Sequence, residues 1–554
     1  MTDSCEVLVV GAGPTGLTLA NELARRGVQV RVIDQATHHT TETRALGVQA
    51  RTLESLDRMG VADAAIERAL PITRFNVFSE RHRIAHFDLG RLETPFPFLL
   101  MFPQNEIEAL LERHLAGLGV RVGRGTRLLA VAERDDGVAA TLRDPDGRRV
   151  EVLSRWLVAC DGAHSPIREQ LGLRFVGDAL EESFAVADLR VEWPLPYDEL
   201  FAFLDRGNFT TFFPMRGGLH RVAVAYTGRQ APTGDVTLAE VQGAVDACGP
   251  PGVRIVELKK AGRFRINQRA VDHQSRGRVF LAGDAAHVNS LVGAQGMNIG
   301  MQDSFNLGWK LALVSAGLAP DELLATYAVE REPAVRRTVR GTRRFTRMTL
   351  LRNPVSALAR RRLAPLLLER PKVRATIETA LAQLDISYAA GDRRPAADRP
   401  PAPVAGDRAP DVVLREPGRD AAGHLLRVLR GDQFSLLVFP AAAAPLPHDL
   451  VRPLLAAHPG QVRAWYVAAD ADGNGGGGGA EGRAAESTLR DPGGQVRRRY
   501  GVGREGMVLV RPDGYVAARA ESLADAAVAG YLDRWLGGAG AATSAGVRGG
   551  SRPG

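Results

Sequence analysis

The chain has 554 residues, 45% apolar and 24% charged, an ordinary globular composition that excludes disordered, collagenous and coiled-coil classes and leaves room for three or four domains at about 150 residues each. Its net charge of +8 is no nucleic-acid signature: over residues 331–374 fourteen basic residues stand against Glu332 and Glu369 alone, and such a run is expected to be a solvated helical face. Three scattered cysteines, Cys5, Cys160 and Cys248, make neither a disulfide framework nor a cysteine-rich metal site and fit a reducing compartment, so the cytoplasm is the expected location.

No apolar run approaches the ~20 residues of a membrane span, so no membrane partner is expected. Residues 7–10 form a continuous apolar run, as a strand buried on both faces of a parallel sheet requires. Leu17, Leu19, Ala20, Leu23 and Ala24 keep helical spacing up to Gly27, a C-terminal stop. Val28, Val30, Val32 and Ile33 then predict a second strand ending at Asp34, which completes a βαβ unit.

Residues 156–160 predict a strand running into Asp161-Gly162, and residues 278–282 another running into Gly283-Asp284. Between them, over 176–275, stretches rich in aromatics predict a mixed or antiparallel sheet inserted into the nucleotide-binding domain. That domain is expected over 1–175 and again, with a helical segment, over 276–390. Helices are predicted over 304–313 and 325–347. Pro395, Pro400, Pro401 and Pro403 mark a linker over 391–406, because proline withholds backbone donors and favours extended chain. A separate module is expected over 407–536, with the glycine tract 473–479 as a loop inside it and a disordered tail over 537–554.

Gly11-Ala12-Gly13-Pro14-Thr15-Gly16 lies between the first strand and the first helix. The first glycine permits the tight turn, the second lets the backbone approach a pyrophosphate, and the third lets helix pack on strand. Exposed N–H groups and the dipole of the helix N-terminus then favour phosphates. Asp34, with Gln35 beside it, is placed to accept from a ribose diol. Gly501-Val502-Gly503-Arg504-Glu505-Gly506 repeats the spacing but runs into a strand-like segment, so it is a loop, and one dinucleotide is held firmly.

Which dinucleotide follows from two later motifs. Asp284, after Gly283 at a strand end, is placed to hold the hydroxyls of a linear polyol; a ribityl chain is such a polyol, which makes the cofactor FAD. Gly296, Met297 and Asn298 open a long helix whose N–H groups and dipole suit the negative charge that develops near N1 and O2 of a reduced flavin. Asp161-Gly162, followed by Ser165 and Arg168, places a second carboxylate at a strand end.

At these residues the sequence resembles the single-component flavoprotein aromatic hydroxylases, a resemblance that covers residues 1–390. It implies that Arg44, Ala45 and Gln104 contact the FAD, that Asp161 and Gly162 serve both FAD and NAD(P)H, and that Asp284 holds the ribityl chain. Gly406-Asp407-Arg408-Ala409-Pro410-Asp411 and the segment around Asp513-Gly514 are similar to the thioredoxin-like extension of the phenol and aromatic polyketide hydroxylase branch. The implied fold is α/β: a Rossmann-like FAD-binding domain with an inserted sheet, plus a C-terminal thioredoxin-like domain. No cysteine follows Cys248, so that domain is without dithiol chemistry.

The implied activity is monooxygenation: NAD(P)H reduces tightly bound FAD, and one atom of O2 passes through a flavin C4a-hydroperoxide to a polycyclic aromatic substrate, with hydroxylation expected. The partners are then that substrate, O2 and NAD(P)H, acting on a monomer or homodimer. Baeyer–Villiger insertion or ring opening by the same scaffold, a flavoprotein oxidase and a non-enzymatic FAD-binding regulator are the alternatives. No side chain is assigned as catalyst, because the flavin carries the chemistry. His287 is expected to be a structural hydrogen-bonder, and His38 and His39 lack a third ligand, so no metal is expected. Phe201, Phe203, Phe213 and Met215 either line the substrate pocket or form the core of the middle sheet. Leu291 stands where the family usually has proline and is expected to reshape that pocket.

Overall fold

The computed structural model describes residues 3–39, 45–80, 82–205, 208–226, 234–288, 295–349, 362–389, 402–414, 423–441, 444–468, 486–491 and 493–537. Arg44, Leu291, residues 391–401 of the expected linker, the glycine tract and the tail from residue 538 lie outside them.

β1 (Asp3–Val10), α1 (Pro14–Ala24) and β2 (Val30–Asp34) form the expected βαβ unit. Val7, Leu8, Val9, Leu17, Leu19 and Leu23 are fully buried, as strands and a helix covered on both sides must be. After α2 (Ala50–Met59), which ends on left-handed Gly60, the chain makes the hairpin β3 (Arg74–Ser79) and β4 (His82–Asp88). This hairpin interrupts the expected 1–175 segment: β3 pairs in parallel with a strand of the inserted sheet, where Val77 and Phe75 find apolar neighbours. α3 (Gln104–Gly117) packs on α1, and β5 (Arg149–Ala159) returns beside β1.

The inserted sheet consists of β6 (Phe175–Glu192), β7 (Leu200–Asp205), β8 (Asn208–Met215), β9 (Leu219–Tyr226) and β10 (Arg254–Val271), with α4 (Leu238–Cys248) against one face. β11 (Val279–Leu281), α5 (Gly296–Ser315), α6 (Glu322–Thr349) and α7 (Pro371–Leu381) follow. β11 lies parallel to β5, so the first sheet carries the parallel order β11, β5, β1, β2, Val122–Arg124. The second runs β10, β6, β9, β8, β7, β3, β4. α6 is the Arg-rich run. Arg336 and Arg340 are on its exposed face as charge patterning predicts, but Arg331 is fully buried.

β12 (Phe434–Phe439), α8 (His448–Ala457), β13 (Val462–Ala468), β14 (Glu486–Arg490), β15 (Gly506–Val510), β16 (Val516–Ala520) and α9 (Ala527–Leu536) complete the chain. Parallel β12 and β13 joined by α8, then the antiparallel pair β15 and β16 and a final helix, give the thioredoxin-like order β14, β13, β12, β15, β16. One apolar cluster runs from the first sheet through α5 into this module, with Trp309 edge-on to Phe434 at 5.6 Å. A buried polar contact adds to it: Glu54 on α2 accepts from Arg51, Thr94 and Arg408. Among the described residues no helix is long and apolar enough to cross a membrane.

Candidate flavin and substrate site

The glycine turn behaves as its spacing requires. Gly11 has φ +106°, and a Cβ there would stand 2.2 Å from the Cys160 carbonyl oxygen; a Cβ on Gly16 would stand 1.9 Å from the Gly11 oxygen. Gly13 differs: it caps α1 with Pro14 in the first helical turn, and a Cβ on it would meet nothing within 4 Å. That open space at a helix N-terminus is the cradle a pyrophosphate needs. Asp34, at the end of β2, accepts from the Ala12 N–H at 2.6 Å and the Ala36 N–H at 2.8 Å, which leaves further lone pairs on both oxygens for a ribose diol. Gln35 is exposed beside it.

The two later motifs converge on this turn. Gly283 has φ +61°, and a Cβ on it or on Gly300 would lie 2.5 Å from the Thr15 hydroxyl, while Ser304 donates to the Thr15 carbonyl at 2.8 Å. Thr15 is therefore the packing point between α1, the Gly283-Asp284 turn and α5. Asp284 follows at an exposed position. Arg168 donates to the carbonyls of Ala163 and Ala285, tying the Asp161-Gly162 loop to that turn, and Ser165 caps the short helix that carries it. Burial pushes the Asp161 carboxyl above its ordinary range.

Beneath the turn is a hub that sequence reasoning missed. Asp303 accepts from the Gly283 N–H at 3.0 Å, from Arg331 Nε at 2.7 Å, and meets His287 Nε2 at 2.6 Å. All three side chains are essentially unexposed. Burial alone would raise the Asp303 carboxyl, but His287 and Arg331 hold it below its usual value. His287 is thus a structural hydrogen-bonder. The only available signal was an acid inside an apolar helix; its partner Arg331 was hidden in a run of arginines.

Asn298 spends its amide on protein: it accepts from the Gln49 N–H and donates to the Gly47 carbonyl, both at 2.8 Å. It fixes the 45–49 loop against the first turn of α5, where Gly296 and Met297 are half-buried. Gln104 brackets the same loop, its N–H donating to the Ala45 carbonyl at 3.2 Å and its side chain to Glu108 at 2.9 Å. Burial, reinforced by Asp34 and Glu112, pushes the Glu108 carboxyl up to about 7 despite Gln104 and Arg124.

The strand period divides the aromatic candidates. Phe201 and Phe203 point to the α4 side of the inserted sheet, packed with Phe212, Trp193 and Val245 in its core. Phe213 and Met215 lie on the other face, against Leu46, Met101 and Leu200. The register places Val77, Ala202, Thr211, Ala223, Val186 and Gly262 in one row across six strands of that face. Bulkier rows flank it, one carrying Phe75, Leu200, Phe213 and Arg221 and the other Leu204, Phe209 and Phe184. The result is a trough of low side-chain volume from Val77 to Val186, closed at Gly262 by the Phe264 ring, 3.1 Å from where a Cβ would stand.

Residues 4–342 match the FAD binding domain family, and residues 402–539 match the C-terminal family of aromatic-ring hydroxylases. A 6-methylpretetramide 4-monooxygenase from Streptomyces rimosus is 38% identical over 94% of this chain and 91% of its own. The anhydrotetracycline hydroxylase OxyS from Streptomyces rimosus superposes with a TM-score of 0.72 at 29% identity, over 96% of this chain and 99% of that one. A ternary complex of aklavinone-11 hydroxylase with FAD and aklavinone gives 0.74 at 28% identity, over 97% and 100%. With the dinucleotide cradle, the three motifs packed around Thr15 and the small-residue trough, these matches show that the chain belongs to the FAD-dependent aromatic-ring hydroxylases and is a flavin monooxygenase.

Proposed function

We propose that the protein hydroxylates a polycyclic aromatic substrate of the polyketide type, using NAD(P)H as transient reductant in the cytoplasm. The observation that carries this reading is the row Val77, Ala202, Thr211, Ala223 and Val186: small side chains aligned across five strands, bounded by bulkier rows and at Gly262 by the Phe264 ring, make a flat wall suited to fused rings. Phe213 and Met215 form the wall nearest the 45–49 loop. Bound FAD would accept a hydride, activate O2 and deliver one oxygen atom.

The chain's own residues supply binding and placement. Gly11, Gly13, Pro14, Thr15 and Gly16 take the pyrophosphate, Asp34 and Gln35 the adenosine ribose, and Gly283 and Asp284 the ribityl chain. Asp161 and Gly162 lie at the same junction, and Ala45, Gln104, Gly296 and Met297 frame the ring system, with Asn298 bracing their loop. Arg44 and Leu291 belong to this assignment by sequence. The dipole of α5 favours an anionic reduced flavin over a neutral one. The trough, apolar apart from the Thr211 hydroxyl, keeps bulk water from the reacting ring.

The test is NAD(P)H consumption by the purified, FAD-loaded protein with a panel of polycyclic phenols under 18O2. A product that gains one labelled oxygen and keeps its ring skeleton supports hydroxylation. A labelled lactone would instead support ring insertion, and substrate-driven flavin reduction without NAD(P)H would support an oxidase.

A further inference from the structure

Gln383 has a left-handed backbone, φ +58°, a conformation that residues with side chains rarely adopt. It is 2% exposed, so packing and hydrogen bonds impose the conformation. Its side-chain amide is the centre of a directed relay. Gln302 donates Nε2 to Gln383 Oε1 at 2.6 Å, and Gln383 donates Nε2 to Gln295 Oε1 at 2.5 Å. Gln295 donates in turn to the Ala380 carbonyl at 3.5 Å. A carbonyl only accepts, which fixes the orientation of the Gln295 amide and, through it, those of Gln383 and Gln302.

The relay joins two places on α5 to the end of α7. Gln295 immediately precedes the first turn of α5, and Gln302 is buried within the helix. The loop that carries Gln383 is itself anchored: the Arg51 N–H donates to the Ala382 carbonyl at 3.2 Å, and Ala382 and Leu384 pack on Ala50. A turn held from α2, α5 and α7 at once is over-determined, the condition under which an unfavourable backbone conformation persists, and such conformations concentrate at functional sites.

We propose that Gln383 is a positioning residue for the flavin: through Gln295 it sets where the first-turn N–H groups of α5 stand against the pyrimidine edge of the ring system. The inference rests on the placement of the flavin at Gly296 and Met297 given above. It is tested with Gln383→Gly, which keeps the backbone conformation without strain and deletes the relay. Relief of the backbone strain offsets part of the lost hydrogen bonds, so the apoprotein of this variant is expected to fold and to melt within several degrees of wild type. FAD affinity is expected to fall about tenfold, or 1.4 kcal/mol, with a displaced visible absorption band of the bound flavin and less hydroxylated product per NAD(P)H. Gln383→Glu, which accepts from Gln302 but cannot donate to Gln295, is expected to shift the same three readouts.

Met297→Pro tests the placement alone, since it deletes one first-turn N–H where helices tolerate proline. If Met297→Pro displaces the flavin band while both Gln383 variants keep wild-type affinity, band and product yield, the placement stands and the relay is overturned. If none of the three displaces the band, the placement fails and the proposal with it.

Discussion

Arg221 and Asp188 oppose each other on neighbouring strands of the inserted sheet, Nε to Oδ1 at 2.6 Å and the second nitrogen to Oδ2 at 2.8 Å. Arg221 also donates to the Ala45 carbonyl at 3.3 Å. One buried guanidinium thereby fixes the sheet to the 45–49 loop. Arg221→Ala leaves the half-buried Asp188 without its guanidinium and is expected to cost about 1–3 kcal/mol, read by urea unfolding, together with loss of FAD on gel filtration. The double variant Arg221→Met, Asp188→Leu removes both charges and is expected to recover most of the stability but not the FAD retention. Recovery of both would show that the contact with Ala45 does nothing for the flavin.

The three glycines of the turn should separate folding from binding. Gly11→Ala and Gly16→Ala place a Cβ within 2.2 and 1.9 Å of backbone oxygens, contacts relieved only by moving β5 or α1, so both should lower the melting temperature. Gly13→Ala meets no protein atom within 4 Å. It should fold as wild type yet retain little FAD, because its methyl group enters the space left for the pyrophosphate. A Gly13→Ala protein that is purified yellow, with full flavin content, would refute that use of the space.

The βαβ unit and its glycine turn were legible in the sequence because their signals are local: apolar strand, glycine spacing and terminal acid all fall within residues 7–34. The Asp303 hub was not, since Arg331 meets Asp303 across 28 positions and looks in sequence like any other arginine of its run. The crossing of β3 to the inserted sheet depends on pairing with β7, more than a hundred residues later. For the aromatics, period two already required Phe212 and Phe213 to face opposite ways. Which of them joined the core under α4 depended on that helix packing against one side, a tertiary fact.

That division predicts different phenotypes for two phenylalanines. Phe203 is buried and stacked on Phe78 at 5.1 Å, so Phe203→Ala should cost about 3–5 kcal/mol of stability. In protein that remains folded it should leave the KM for the aromatic substrate near wild type. Phe213→Ala, at the edge of the trough, should raise KM with a much smaller loss of stability. Filling the trough with Ala223→Leu should raise KM without loss of flavin. Steady-state kinetics beside thermal melts distinguish these cases, and equal KM effects from Phe203→Ala and Phe213→Ala would contradict the assignment of faces.

His220 is fully buried on the α4 side of the sheet, its ring 4.9 Å from Trp193 and 5.4 Å from Tyr197. Burial lowers its pKa to about 4, so the folded protein holds it neutral. An unfolded chain protonates it near 6.5. Between those values the unfolded state binds more protons, and stability falls as pH falls. From pH 7.5 to 5.0 this one residue should cost about 2 kcal/mol at 1.36 kcal/mol per pH unit below 6.5. Glu108, pushed up to about 7 by burial, acts in the opposite direction over much of the same interval, because its folded form binds the extra proton. The measurement is therefore the difference between wild type and His220→Phe in urea midpoints at the two pH values. His220→Phe keeps the aromatic packing and removes only the proton, so it should gain stability relative to wild type at pH 5.0 and not at pH 7.5. An equal difference at both pH values would mean that His220 is not the group being titrated.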